Sequence, residues 1–232
     1  MKSFIISAFT ILAFFAFTAN AAKEKKVYTP TETWPYMLEE FEAGTVKSTT
    51  GEVRSYEMLN IYLPNHTLHY VMEDKVLVAD MAKVYLVAVG EDVYLNTGGK
   101  LRKIMLEGNN GVVLEESWID MEAYNSVDIG YGISSRTASA QNVSNLYFLN
   151  NSAQMNMNLT DLVNKRDSKK LEIRKSLYLR VNGLLYKADI NEIAAMMPDS
   201  KAAKKELKKL KIKWKDPNSL IAVVDYIYEK TK

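Results

Sequence analysis

The acidic residues that follow one predicted strand are the first candidates for chemistry. Glu115, Glu116, Asp120 and Glu122 form a short cluster after an apolar run. Two carboxyl groups held roughly 5–9 Å apart in a cleft can hydrolyse a glycoside, one as acid and the other as base or nucleophile. Acidic side chains are also mostly exposed unless paired, so the same cluster can simply solvate a strand end. The solvated strand end is the favoured interpretation, and a glycosidase-like hydrolase is the alternative.

Histidine chemistry depends on only two residues, His66 and His69. Two histidines three residues apart share a face on a helix, where they can bind one metal ion. Here they lie in an alternating strand pattern, in which residues three apart point to opposite faces. We therefore expect partly exposed strand histidines beside a turn, and no metal site. No Gly-x-Ser-x-Gly elbow accompanies them, so no catalytic residue is assigned.

A run of lysines near the carboxyl end is the strongest local charge feature. Only Asp199 and Glu206 offset it, and apolar residues interleave with it. A basic amphipathic surface of this kind can contact anionic lipid head groups or another polyanion. The alternative is a solvated face on an ordinary surface helix. The residues predicted for contact are Lys204, Lys205, Lys208, Lys209, Lys211 and Trp214.

Tyrosines on the predicted strands are candidates for stacking on a sugar. The chain has 14 tyrosines, although tyrosine is enriched in strands for packing reasons alone. A sugar platform also needs a concave surface, which a sequence does not show. The candidate ligand-facing aromatics are Tyr56, Tyr62 and Tyr70.

Bulk composition excludes several classes of function. The 232 residues are 47% hydrophobic and 25% charged, as in an ordinary globular protein. A net charge of +2 gives no global attraction to a polyanion, so no nucleic-acid partner is expected. The absence of cysteine excludes disulfides, thiol nucleophiles and cysteine-ligated metals. No phosphate loop, dinucleotide fingerprint or calcium loop occurs, and no cofactor is predicted.

The amino terminus is typical of a secretory signal peptide. Lys2 supplies a positive start, an apolar or small run follows from Phe4 to Phe17, and Ala19 and Ala21 provide small residues for cleavage. We expect cleavage near Ala21 and a periplasmic or secreted protein. It would not be a lipoprotein, which needs a cysteine at that site. No later segment reaches the roughly 18 consecutive apolar residues of a membrane helix.

Short apolar runs separated by turn residues fill the stretch from Gly44 to Ser117. Runs rich in Val, Ile, Tyr and Leu, with turn signals about every 8–12 residues, indicate antiparallel strands. Val84–Val89 is apolar on both faces, as in a central strand. We predict a β-meander over 41–122, folded as a sandwich or a strongly curled sheet. A flexible lead-in over 22–40 precedes it, with aromatics near Trp34 anchoring it to the sheet.

The rest of the chain predicts an irregular connection and then a hairpin with helices. Residues 123–168 are rich in Asn and Ser, with short runs such as Leu146–Leu149 that could be strands. Within 169–232, Asn182-Gly183 suits a type I′ hairpin turn. Three helices are then predicted from their N-cap residues. These caps are Asp189, Asp199 and Asp216, the last placed directly before a proline. The predicted fold class is therefore α+β.

Two blocks of sequence resemble an uncharacterised family of secreted Gram-negative proteins. The first contains Phe41–Val46, Leu59–Tyr62 and Val84–Gly90, and the second joins Leu177–Tyr186 to Lys211–Lys215. These blocks consist of strands, turns and caps. The resemblance therefore implies an exported scaffold, and no site residue is carried over from it.

Together these observations favour an exported, non-catalytic binding or interaction protein of the bacterial envelope. Its contact surface would be a face of the sheet or the lysine-rich helix. The partner would be an envelope component, another protein or an anionic surface. A periplasmic hydrolase using the Glu115–Glu122 cluster and a structural envelope component are the alternatives.

Overall fold

The computed structural model describes residues 28–120, 128–129, 133–134, 157–164 and 168–232. Within these ranges the chain is α+β. The strands are β1 Glu42–Ser48, β2 Val53–Tyr62, β3 Thr67–Met72, β4 Lys75–Val78, β5 Val84–Val89, β6 Asp92–Thr97, β7 Lys100–Gly108, β8 Gly111–Ile119, β9 Asp128–Ile129, β10 Ile133–Ser134, β11 Met157–Asn158, β12 Ile173–Val181 and β13 Leu184–Lys187. The helices are α1 Leu159–Asn164, α2 Ile190–Ala195, α3 Ser200–Lys209 and α4 Pro217–Lys230.

Ten strands form one open antiparallel sheet in the order β4-β3-β2-β1-β5-β6-β7-β8-β12-β13, and the short β11 extends it beyond β4. Strand β1 pairs with both β2 and β5. Strands β2 to β4 therefore lie on one side of β1, and strands β5 to β8 lie on the other. The meander is confirmed. The expected sandwich or strongly curled sheet is wrong, because the successive hairpins add their strands to one open sheet and, among the described residues, the second sheet is only the two-stranded β9–β10 pair. The C-terminal hairpin also joins this sheet, since β12 pairs with β8 over nine residue pairs.

The predicted hairpin turn joins β12 and β13. Asn182 and Gly183 adopt φ angles of 49° and 82°, which are the positive values that a type I′ turn requires. Gly98 and Gly99, between β6 and β7, do the same with φ angles of 66° and 83°. These local signals set the register of both hairpins.

The described part of the predicted lead-in lies against the sheet. Trp34 and Tyr36 are each 1% exposed, and Tyr36 bridges to Tyr62 at the end of β2. The Asn60 side chain accepts a hydrogen bond from the backbone N–H of Leu38 and donates to its carbonyl. The expected anchoring by aromatics is therefore present.

The three C-terminal helices begin where their cap residues predict. The carboxylates of Asp189, Asp199 and Asp216 accept hydrogen bonds from backbone N–H groups in the first turns of α2, α3 and α4. The helices cover β8 and β12 and enclose the largest hydrophobic cluster. Its buried members include Val113, Leu179, Val181, Ile193, Leu207, Leu220, Val223, Val224 and Ile227.

The connection over 123–168 lies mostly outside the described residues. Its described pieces are the β9–β10 pair, which forms a separate small sheet, and β11, which pairs with β4. The predicted strand at Leu146–Leu149 is outside the described part of the chain.

Candidate functional site

The first candidate site is the lysine-rich face, which we define as the exposed lysines of α3 and of the turn that follows it. Helix α3 packs through Ala203 and Leu207, which are buried. At about 100° per residue, its five lysines fall within an arc of about 140° on the opposite side. The eight exposed lysines of this face are Lys201, Lys204, Lys205, Lys208, Lys209, Lys211, Lys213 and Lys215.

The two acidic side chains near this face do not neutralise it. Glu206 forms its ion pair with Lys230 of α4, at 2.9 Å, and accepts a hydrogen bond from Tyr226. Those bonds lower the pKa of Glu206. Asp199 caps the helix. Among the described residues, no lysine of the lysine-rich face forms an ion pair with a carboxylate.

The backbone of the turn after α3 is anchored by the apolar residues between its lysines. Lys211 has a φ of 51°, a left-handed conformation that disfavours side chains other than glycine, asparagine and aspartate. Ile212 and Trp214 alternate with the lysines and pack against the helical core. Leu210, the C-cap of α3, is 42% exposed where the helix ends.

The second candidate site is a gap between β7 and β8. These strands pair from Gly108 only as far as Lys103, while β8 continues to Ile119 beside β12. His66, in the β2–β3 turn, occupies the gap: its carbonyl accepts a hydrogen bond from the Leu101 N–H at 2.9 Å. Its imidazole Nε2 lies 2.8 Å from the Ser117 carbonyl. His66 therefore joins the two strands where their own ladder ends.

Charged side chains from both strands are buried at this gap. Arg102 Nη2 lies 2.5 Å from Glu116 Oε2, and both side chains are 7% exposed. Arg102 Nη1 also donates to the Thr97 carbonyl at 2.7 Å, and the guanidinium lies over the Tyr178 ring at 4.8 Å. The half-exposed Lys100 places its Nζ 3.7 Å from Glu116 Oε1. The opposite charges of Arg102 and Glu116 offset part of the cost of burying them, while Arg102 Nε has no hydrogen-bond partner among the described residues.

The predicted carboxylate cluster is divided by this arrangement. Glu115 and Glu116 are adjacent in β8 and so point to opposite faces. Glu115 forms an ion pair with Lys175 at 2.9 Å, and the buried Asp120 pairs with Arg174. The expectation of solvated strand-end carboxylates is wrong for Glu116 and Asp120, since both are buried. Glu122 lies outside the described residues.

His69 belongs to a separate chain of buried hydrogen bonds. Thr67 Oγ1 donates to Asn65 at 2.6 Å, so this hydroxyl accepts from His69 Nε2 at 3.3 Å. His69 Nδ1 then accepts from the Tyr36 hydroxyl at 3.1 Å. The imidazole stacks on the Tyr62 ring with 4.7 Å between centroids. Burial lowers the pKa of His69 to about 4, so the ring is neutral at ordinary pH.

The two histidines were expected to be partly exposed, and this expectation is wrong. His66 is 5% exposed and His69 1% exposed, because His66 lies between β7 and β8 and Tyr36 of the lead-in packs onto His69. They contact different partners. In the described part of the chain, no group of three or more potential metal ligands comes together.

The candidate ligand-facing tyrosines are also divided. Tyr62 is buried under the lead-in, so its ring is not offered to a ligand. Tyr56 and Tyr70 are half-buried on neighbouring strands, with their ring centroids 5.2 Å apart, and pack against the core of the first strands.

The residues missed by the sequence reasoning are Thr97, Lys100, Arg102 and Tyr178. They lie on three strands, β6, β7 and β12, and no sequence motif links them. The one signal available is a charged residue, Arg102, between the apolar Leu101 and Ile104 in a strand otherwise suited to burial.

No protein-family model matches the chain, and comparisons with curated proteins and with solved structures found no match. The resemblance to secreted Gram-negative proteins therefore stays a prediction. Of the described helices, none is both long and apolar enough to cross a membrane.

Proposed function

We propose that this protein is an exported, non-catalytic binding protein of the bacterial envelope, attached to phosphate-bearing lipid head groups through its lysine-rich face. The observation that carries this proposal is the density of unpaired positive charge. Eight exposed lysines lie between Lys201 and Lys215, and none has a carboxylate partner among the described residues.

The spacing of the lysines supports a binding role over simple solvation. Lys201 and Lys205, Lys204 and Lys208, and Lys205 and Lys209 are like-charged pairs four residues apart on α3. Each such pair destabilises a helix by roughly 0.2–0.5 kcal/mol. A face kept only for solubility would alternate lysine with glutamate. An anionic surface would relieve this repulsion.

The rest of the helix suits docking on a surface. Ala203 and Leu207 fix α3 to the fold, so the backbone that carries the lysines is ordered before binding and only the side chains lose conformational freedom. Leu210 and Met196, the C-caps of α3 and α2, are exposed apolar side chains in the same helical region. Basic helices with exposed apolar residues bind at the interface of anionic bilayers.

The carboxylate geometry supports a non-catalytic protein. Glu115 and Glu116 face opposite sides of the sheet, and each is paired with a cation. A glycosidase needs two carboxyl groups that flank one bond.

The test is fractionation of the native host at low and high salt. The variant to compare with wild type carries four changes, Lys204→Gln, Lys205→Gln, Lys208→Gln and Lys209→Gln. A lysine near an anionic membrane contributes about 1 kcal/mol, so the variant should bind roughly two to three orders of magnitude more weakly. Wild type should stay with washed membranes at low salt and leave them at high salt, since salt screens exposed charges.

A matched control carries the same loss of four charges elsewhere on the surface. It is made at the exposed residues Lys75, Lys83, Lys170 and Lys187. The control should remain on membranes like wild type. If wild type is soluble at both salts, or if the two quadruple variants behave alike, the proposed function is wrong.

A further inference from the structure

His66 makes hydrogen bonds to the backbones of both strands at the gap between β7 and β8, beside the Arg102–Glu116 ion pair that also crosses it. The Leu101 N–H, which would bond to β8 if the ladder continued, bonds to the His66 carbonyl. On the other side of the gap, the His66 imidazole bonds to the Ser117 carbonyl. Displacing His66 would leave both groups without these partners.

The hydrogen bonds define the protonation state that closes the gap. Because the Ser117 carbonyl can only accept, His66 Nε2 carries the hydrogen and donates it. His66 Nδ1 is buried and has no hydrogen-bond partner among the described residues. A second proton on Nδ1 would therefore be a buried donor with nothing to receive it.

The charges around His66 come from both strands of the gap. Lys100 and Arg102 face it from β7, and Glu116 faces it from β8 with Oε1 at 3.8 Å from Nε2. Glu116 is already paired with Arg102. A protonated His66 would lie near two cations, Lys100 and Arg102, and near the carboxylate of Glu116, whose charge Arg102 already offsets.

The backbone at His66 also favours release. Its φ of 60° lies in the left-handed region, which strains a residue other than glycine and persists only when surrounding contacts hold it. Loss of the contacts that hold His66 would allow its backbone to leave the left-handed region.

We propose that His66 is an acid-sensitive latch, whose protonation withdraws the β2–β3 turn from the β7–β8 gap and opens that end of the sheet. The pKa of His66 supports this direction. Burial lowers it, and the hydrogen bond to Ser117 and the charge of Glu116 offset that effect only in part. The latch is independent of the lysine-rich face.

The amide of Leu101 reports directly on the latch, because its hydrogen bond exists only when His66 is in place. We would measure hydrogen exchange of this amide by NMR, corrected for intrinsic rates. From about pH 7.5 to about pH 5.5, opening should increase about tenfold, since the open state takes up a proton near the ordinary histidine pKa. The amide of Val224 in α4 should keep its protection, because the opening is local.

Two variants and one background make the result decisive. His66→Gln keeps a donor near Nε2, and His66→Asn suits the left-handed backbone; in either, Leu101 protection should no longer depend on pH. His69→Phe leaves His66 as the only histidine of the chain, and the pH dependence at Leu101 should persist.

Three results would overturn the latch. Protection at Leu101 could be independent of pH in wild type and in His69→Phe. Protection at Leu101 could depend on pH as strongly in a folded His66 variant as in wild type. It could fall together with protection at Val224, which would indicate global unfolding.

Discussion

Replacing His69 with phenylalanine should remove a large part of the pH dependence of stability. His69 is neutral and buried, with a pKa of about 4 against an ordinary value near 6.5. The unfolded chain takes up a proton at this residue as the pH falls below 6.5, whereas the folded chain does not until about pH 4. The stabilisation is therefore complete above pH 6.5 and is lost as the pH falls to about 4.

The size of this effect follows from the pKa difference. Each unit corresponds to 1.36 kcal/mol, so His69 accounts for a loss of about 3 kcal/mol in the free energy of unfolding between pH 7 and pH 4. Phenylalanine keeps a ring stacked on Tyr62 but cannot accept the hydrogen bond from Tyr36. The variant should thus be less stable at pH 7, by roughly 1–3 kcal/mol, and lose less stability in acid.

Urea unfolding at a series of pH values, followed by tryptophan fluorescence and circular dichroism, measures this difference. Unchanged m-values would show that the unfolded states are comparable. His66→Gln serves as the second background, because the pKa of His66 is lowered as well. Parallel stability curves for wild type and His69→Phe would refute the reasoning, since the protonation of His69 would then be the same in both states.

Two further substitutions test the packing of the sheet. Gly44→Ala should destabilise the protein by about 3 kcal/mol, because a Cβ at this position would lie 2.5 Å from the Ala88 carbonyl oxygen. The control is Gly98→Ala, whose Cβ would face open space and which should lose only about 1 kcal/mol from its left-handed backbone. Equal losses of the two variants in urea unfolding would contradict the prediction. Arg102→Met should reduce the free energy of unfolding by about 3 kcal/mol, because the buried Glu116 carboxylate loses its nearest cation and keeps only the more distant Lys100. In urea unfolding, a loss below about 1 kcal/mol would contradict the prediction.

Features set by near neighbours in the chain were predictable. The turn at Asn182-Gly183 and the caps at Asp189, Asp199 and Asp216 each depend on side chains within a few residues. The strands of the meander follow from short apolar runs between turn residues. The sequence predicted the lysine run for the same reason, since it is contiguous.

Features set by distant neighbours were not predictable. The single sheet, in place of a sandwich, depends on which strand each hairpin joins, and apolar alternation is the same in both. The burial of Glu116 and Asp120 depends on Arg102 and Arg174, which lie in other strands. The exposure of Leu210 follows from where α3 ends.

The sequence by itself therefore determined the α+β class, the local turns and caps, the absence of cysteine chemistry and the lysine-rich segment. Each of these depends on composition or on residues that are close together in the chain. The tertiary structure alone decided that His66 joins β7 to β8, that His69 is buried under the lead-in, and that Glu116 is buried beside Arg102. The two histidine results depend on contacts between distant residues, Tyr36 with His69 and His66 with Ser117, which lie 33 and 51 positions apart in the chain. Periodicity and turn signals carry no information about such pairs, since they describe only the local path of the chain.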